Sequence, residues 1–92
     1  MKVNFYATYR PIVSGKTIEF DVNHGITIRQ LIDAIITRFP AMQREMLDAD
    51  GNLYSHVHFF VNGRDACYLD NGMDTVIQAD DILNIFPPVG GG

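Results

Sequence analysis

The sequence predicts an α+β roll, with one main helix packed on one face of a four- to five-stranded sheet. Three features of the 92 residues carry that expectation. A capped apolar stripe of helical period runs from Thr27 to Phe39. Segments of period two lie on both sides of it. The last of these segments runs straight into Pro87-Pro88-Val89-Gly90-Gly91-Gly92.

Taken in order, Val3, Phe5, Ala7 and Tyr9 alternate with Lys2, Asn4, Tyr6 and Thr8, the period of a half-buried strand. Pro11, Ser14 and Gly15 mark a loop. Ile18, Phe20 and Val22 alternate with Thr17, Glu19, Asp21 and Asn23, giving a second strand. The short connection between the two predicts an antiparallel hairpin. Ile28, Leu31, Ile32, Ile35, Ile36 and Phe39 then recur at spacings of three and four. Thr27 is a suitable N-cap, and Gln30 three residues on completes a capping box. Ile26 and Leu31 are placed for a hydrophobic staple, and Pro40 stops the helix at Phe39. Burying six large apolar side chains contributes roughly 9–18 kcal/mol as an upper value. Ordering the backbone costs about 1–2 kcal/mol per residue, so the helix needs a sheet to pack on.

Met42, Met46 and Leu47 predict one short helical turn, and Asp48-Ala49-Asp50-Gly51-Asn52 a turn. Val57, Phe59 and Val61 alternate with His58 and Phe60 in a third strand. Asn62-Gly63 is a strong hairpin signal, so a short fourth strand is expected over Asp65 to Leu69. Leu69 to Asp81 reads as irregular, with a turn at Asn71-Gly72. Leu83 and Ile85 alternate with Ile82, Asn84 and Phe86 in the final strand, which Pro87-Pro88 ends. The core expected from these patterns holds Val3, Phe5, Ile18, Phe20, Leu31, Ile35, Phe59, Val61, Leu83 and Ile85.

Composition narrows the function. A chain of this length makes one domain. Its 47% apolar content suffices for a core and argues against disorder. The formal charge of −4 disfavours nucleic acid, whose phosphates recruit basic surfaces. It suits docking on a basic protein surface instead. The single cysteine, Cys67, leaves no internal disulfide and no thiolate metal cluster within one chain, in keeping with a reducing cytoplasm. Neither a signal peptide nor a membrane span is evident in the sequence.

The tail is the most informative stretch. Two prolines stiffen the exit from the last strand. Five residues from Pro88 reach about 17 Å from the body. Glycine has no Cβ, so Gly90, Gly91 and Gly92 can thread a channel too narrow for other residues. The expected organisation is a domain over residues 1–88 and a flexible reactive tail over 89–92. A frayed glycine tail is the plain alternative, which the stiff prolines joined to a core strand weaken.

The order of elements, together with Asp81-Ile82-Leu83-Asn84-Ile85-Phe86-Pro87-Pro88-Val89 and the terminal glycines, resembles the β-grasp, ubiquitin-like sulfur-carrier family. That family includes the molybdopterin synthase small subunit, the thiamin-pathway sulfur carrier and archaeal ubiquitin-like modifiers. The longer middle, Met42 to His56, is also similar to the carrier serving cysteine synthesis. The resemblance implies a mixed sheet with the first strand parallel to the last. It implies that an ATP-dependent activating enzyme adenylates the carboxylate of Gly92 and that sulfur then replaces AMP to give a thiocarboxylate. A sulfur-acceptor enzyme, such as a synthase large subunit, would use that sulfur. The chain would be a carrier rather than an enzyme, with no cofactor of its own. The same adenylate attacked by a lysine amine would make the chain a protein modifier. A non-covalent ubiquitin-like interaction domain is the third reading.

Other residues carry weaker chemical signals. His56 and His58 would share a strand face but lack a third metal ligand. Asp48-Ala49-Asp50-Gly51-Asn52 resembles the opening of a calcium loop, but Phe59 stands where the bidentate glutamate belongs. Cys67 reads as a small hydrophobe. Asp80 and Asp81 read as a solvated turn, with Asp81 a candidate for docking to a basic partner. Phe60 and Phe86 point by alternation away from the helix-covered face. They are expected to form one partner-binding patch, continued by Pro87, Pro88 and Val89.

Overall fold

The computed structural model describes residues 1–22, 24–54, 57–66, 69 and 71–87. Of the residues singled out in the sequence, His56, Cys67, Pro88, Val89, Gly90, Gly91 and Gly92 lie outside the described residues.

The chain runs β1 (Lys2–Phe5), α1 (Tyr9–Val13), β2 (Thr17–Glu19), β3 (Ile26–Thr27), α2 (Ile28–Arg38) and α3 (Met42–Met46). It continues through β4 (His58–Val61), β5 (Arg64–Asp65), a 3₁₀ turn at Gly72–Asp74, β6 (Val76–Ile77) and β7 (Ile82–Phe86). Five strands form one mixed sheet in the order β2-β1-β7-β4-β5. β1 is antiparallel to β2 and parallel to β7, and β7 is antiparallel to β4. This is the expected α+β roll, with its first strand beside its last.

Period two sorts the sheet into a covered and an open face. Val3, Phe5, Phe59, Val61, Leu83 and Ile85 are buried and share one core with Ile28, Leu31, Ile32 and Ile35 of α2. The helix forms where its signals sit. Thr27 Oγ1 accepts from the Gln30 amide at 3.1 Å, and Gln30 Oε1 accepts from the Thr27 amide at 2.8 Å. These two bonds satisfy orphan donors at the helix start. Phe39 leaves helical geometry ahead of Pro40, as the restriction on pre-proline residues requires.

Several expectations are corrected. The first strand ends at Phe5, not Tyr9, because Ala7 adopts φ 52° and breaks the extended run. Tyr9 is buried from helix α1, with Val13 one turn on. Pro11 lies inside that helix rather than in a loop, within the first turn, where a missing amide costs no intrahelical bond. The second strand stops at Glu19, though Phe20 beyond it is buried. Ile18 is only partly buried against the core. The fourth strand is Arg64–Asp65, set directly by the Asn62-Gly63 turn, with φ 51° and 87° at its two central residues. The stretch before Asp81 is not wholly irregular. Val76–Ile77 pairs with Ile26–Thr27 and buries Ile77. A Cβ on Gly25 would come within 2.9 Å of Val76 Cγ1, so any side chain there would force the exposed Val76 side chain to shift.

Tyr9 brings an unmade hydrogen bond into this core. It is 1% exposed, and its hydroxyl has no hydrogen-bond partner among the described residues. Burial, with the nearby Glu45 charge adding, pushes its pKa up to about 12 from 10.0. The proton is held more tightly in the folded state. Its contribution is therefore complete below pH 10 and is lost as pH rises through 12. Tyr9→Phe should leave stability at neutral pH unchanged or raise it by up to about 1 kcal/mol, since it removes a buried unmade hydrogen bond. In urea melts, the native chain should lose stability relative to the variant between pH 10 and 12. Parallel pH profiles for the two would show that the hydroxyl is not desolvated.

Candidate functional site

The open face of the sheet carries the candidate site. Its rows follow from strand register. Thr17, Asn4, Asn84, Phe60 and Asp65 are successive partners across β2, β1, β7, β4 and β5. In the next row, Phe86 pairs with His58, and the β1 register carried one residue further sets Tyr6 on its other side. None of these residues is buried.

Phe60 and Phe86 form one patch, as their alternation predicts. Their rings meet edge to face with centroids 5.4 Å apart. Both are half-buried rather than fully exposed, because Phe86 also stacks on Tyr6, at 4.2 Å between centroids. Tyr6 thus completes a three-ring row that sequence reading missed. Its outward alternation was visible; its neighbour across the parallel pairing was not. A polar network fixes the row from beside it. Asn84 Oδ1 accepts from Tyr6 Oη at 2.8 Å and from Asn4 Nδ2 at 3.0 Å. Thr17 Oγ1 donates to Asn4 Oδ1 at 2.7 Å. Arg10 lies over the Tyr6 ring, 5.3 Å from its centroid. On the other flank, His58 Nδ1 lies 3.5 Å from Asp65 Oδ2. Pro87 follows directly from Phe86 and is half-buried.

Asp81 is placed at the opposite end of β7. Its Oδ1 accepts from Asn62 Nδ2 at 3.0 Å, and its Oδ2 accepts from the Gln78 amide at 2.8 Å. Asn62 in turn accepts at Oδ1 from the Ile82 amide, 2.9 Å away. The Asp81 carboxylate therefore locks the β4–β5 turn to the start of β7. Asp80 is exposed. The Asp48 carboxylate caps its own turn, accepting from the Asp50 and Asn52 amides at 2.9 and 3.0 Å. Among the described residues, no group of three or more His, Cys, Asp or Glu is placed to hold a metal. No described helix is long and apolar enough to cross a membrane. A broad depression lined by Ile12, Pro40, Arg44, Leu47 and Tyr54 contains no residue of the open face.

Comparison with known proteins agrees with this architecture. The model of the ThiS family matches residues 3–92. Small archaeal modifier protein 3 of Haloferax volcanii is 30% identical over 92 residues, covering 100% of this chain and 98% of its own. A protein of Archaeoglobus fulgidus, named as a candidate sulfur carrier, is 35% identical over 68 residues, covering 73% of this chain and 75% of its own. The crystal structure of SAMP1 from Haloferax volcanii superposes with a TM-score of 0.85 at 29% identity, covering 100% of this chain and 98% of that one.

The Asn62–Asp81 lock yields a direct test. Asn62→Gly keeps the positive-φ backbone and deletes the side-chain bonds to Asp81 and Ile82. It should lower stability by about 1–3 kcal/mol and speed hydrogen exchange at the Ile82 amide. An unchanged urea midpoint with unchanged exchange would show that the lock contributes nothing.

Proposed function

Because the chain belongs to the ThiS family, we propose that it is a sulfur carrier whose reactive group is the carboxylate of Gly92. In this reading residues 1–88 form the recognition domain, and residues 89–92 deliver the carboxylate to a partner's active site. A carboxylate is a poor electrophile. One of its oxygens attacks the α-phosphorus of ATP on an activating enzyme, and pyrophosphate leaves. The acyl-adenylate now has a good leaving group. Hydrosulfide attacks its carbonyl carbon, AMP departs, the thioacid loses its proton, and Gly92 ends in a thiocarboxylate. That sulfur is the nucleophile a sulfur-acceptor enzyme uses, in molybdopterin, thiamin or cysteine biosynthesis.

The chain's own part is positioning. The observation that carries the proposal is the placement of β7. It lies between β1 and β4, and its last residue, Phe86, is the centre of the Tyr6–Phe86–Phe60 row. A partner that grips this row holds the chain immediately before Pro87. Gly90 and Gly91 offer no side chain to obstruct a narrow channel. Phe60, Phe86 and Pro87, with Pro88 and Val89, are the proposed docking residues. Asp81 joins them through the carboxylate lone pairs its internal bonds leave free.

A second reading has specific support. The 30% identity with a small archaeal modifier protein favours conjugation, in which a lysine amine of a target displaces AMP and forms an isopeptide bond. Both readings share the adenylate and diverge after it.

Deleting Gly92 should abolish ATP-dependent adenylate formation by the activating enzyme and leave the urea midpoint unchanged. A chain lacking Gly91 and Gly92 that still supported its pathway in the cell would rule out both readings in favour of an interaction domain. Phe86→Asp should weaken binding to the activating enzyme by several kcal/mol without unfolding the chain, since the ring lies outside the core. Native-like affinity in that variant would leave the patch without a docking role.

A further inference from the structure

Beside the aromatic row, the open face has a small polar recess of about 280 Å³ lined by Asn4, Tyr6, Arg10, Lys16 and Thr17. We propose that this recess binds a carboxylate side chain of the protein that docks on the row. The inference rests on the docking reading above and adds the chemistry of the partner.

Two cations border the recess, and the backbone of Phe5 holds the Arg10 guanidinium and the Lys16 main chain. The Phe5 carbonyl accepts from Arg10 Nε at 2.9 Å. The Phe5 amide donates to the Lys16 carbonyl at 2.8 Å. Arg10 spends only Nε on this bond, so its two Nη groups remain for an acceptor. The ion pairs among the described residues are Arg29 with Asp74 and His58 with Asp65; neither Arg10 nor Lys16 takes part in one. The remaining lining is Tyr6, Asn4 and Thr17, with no carboxylate. On a chain of net charge −4, this is a local reversal of sign.

Continuity selects the ligand. Tyr6 lines the recess and also stacks on Phe86, so a surface that covers the row covers the recess. Excluding water from Arg10 and Lys16 without a counter-charge opposes binding. A partner matched to the row must therefore bring an acidic side chain to this point. A guanidinium fork beside an ammonium suits a carboxylate. The adjoining rings suit the apolar surface around an acidic residue on a protein, which a free phosphate lacks.

The test is an NMR titration of the full chain with acetylated, amidated tetraglutamate, using tetraglutamine and inorganic phosphate at matched ionic strength as controls. Tetraglutamate should give saturating shifts at Arg10 Nε and at the Tyr6, Lys16 and Thr17 amides, and tetraglutamine should give none. Lys16→Gln should weaken the response severalfold, Lys16→Glu should abolish it, and Arg10→Gln should weaken it at least tenfold. Shifts scattered over the surface, the same affinity in Lys16→Glu, or tighter saturation by phosphate would each overturn the proposal. Failure of the docking reading is seen separately, as native-like binding of the activating enzyme by Phe86→Asp.

Discussion

The pairing of β1 with β7 is the constraint on which the rest of the structure depends. Parallel strands cannot be joined by a tight turn, so nearly the whole chain lies between them. Four consecutive pairs, from Lys2 with Ile82 to Phe5 with Ile85, bring the first and last strands together at the middle of the sheet. β7 is thereby flanked by β1 on one side and β4 on the other. Its inward residues, Leu83 and Ile85, are fully buried and meet the apolar stripe of α2. Its outward residues, Asn84 and Phe86, collect neighbours from both flanking strands. The segment that bears the glycines thus leaves from a strand held on both edges, rather than from a frayed edge strand.

That arrangement joins stability to recognition without mixing the two. The covered face supplies the hydrophobic term. The open face holds rings and amides whose packing is local, so a change at Phe86 alters the surface more than the core. The asymmetry of charge follows the same division. The Arg10 side chain and the Lys16 main chain are held on one flank of the row by the Phe5 peptide, and Asp65, beside His58, lies on the other.

Much of this was legible in the sequence where local chemistry decides structure. The Thr27–Gln30 capping box, the stripe from Ile28 and the Asn62-Gly63 turn all formed where their residues sit. So did the alternation that sends Phe60 and Phe86 to one face. The misses have a common cause. Tyr9 fits the period of two running from Val3, yet it also stands four before Val13, and the positive φ at Ala7 that decides between the readings has no residue signature. β6 has only two residues, and its existence depends on β3 lying opposite. Tyr6 joined the aromatic row only through its neighbour across the parallel register. The bond from Asn62 to Asp81 spans 19 residues of sequence, so no local pattern announces it.

The central claim is that Gly92 carries activated sulfur. The most direct measurement is the mass of the C-terminal peptide from chain purified out of its own cells under non-reducing, alkylation-free conditions. The account predicts a population heavier than the free carboxylate by the difference between sulfur and oxygen, with the change confined to Gly92. A peptide found only as the free acid, in cells whose sulfur-transfer pathways are active, would contradict it. A peptide found joined to a lysine would move the chain to the modifier reading.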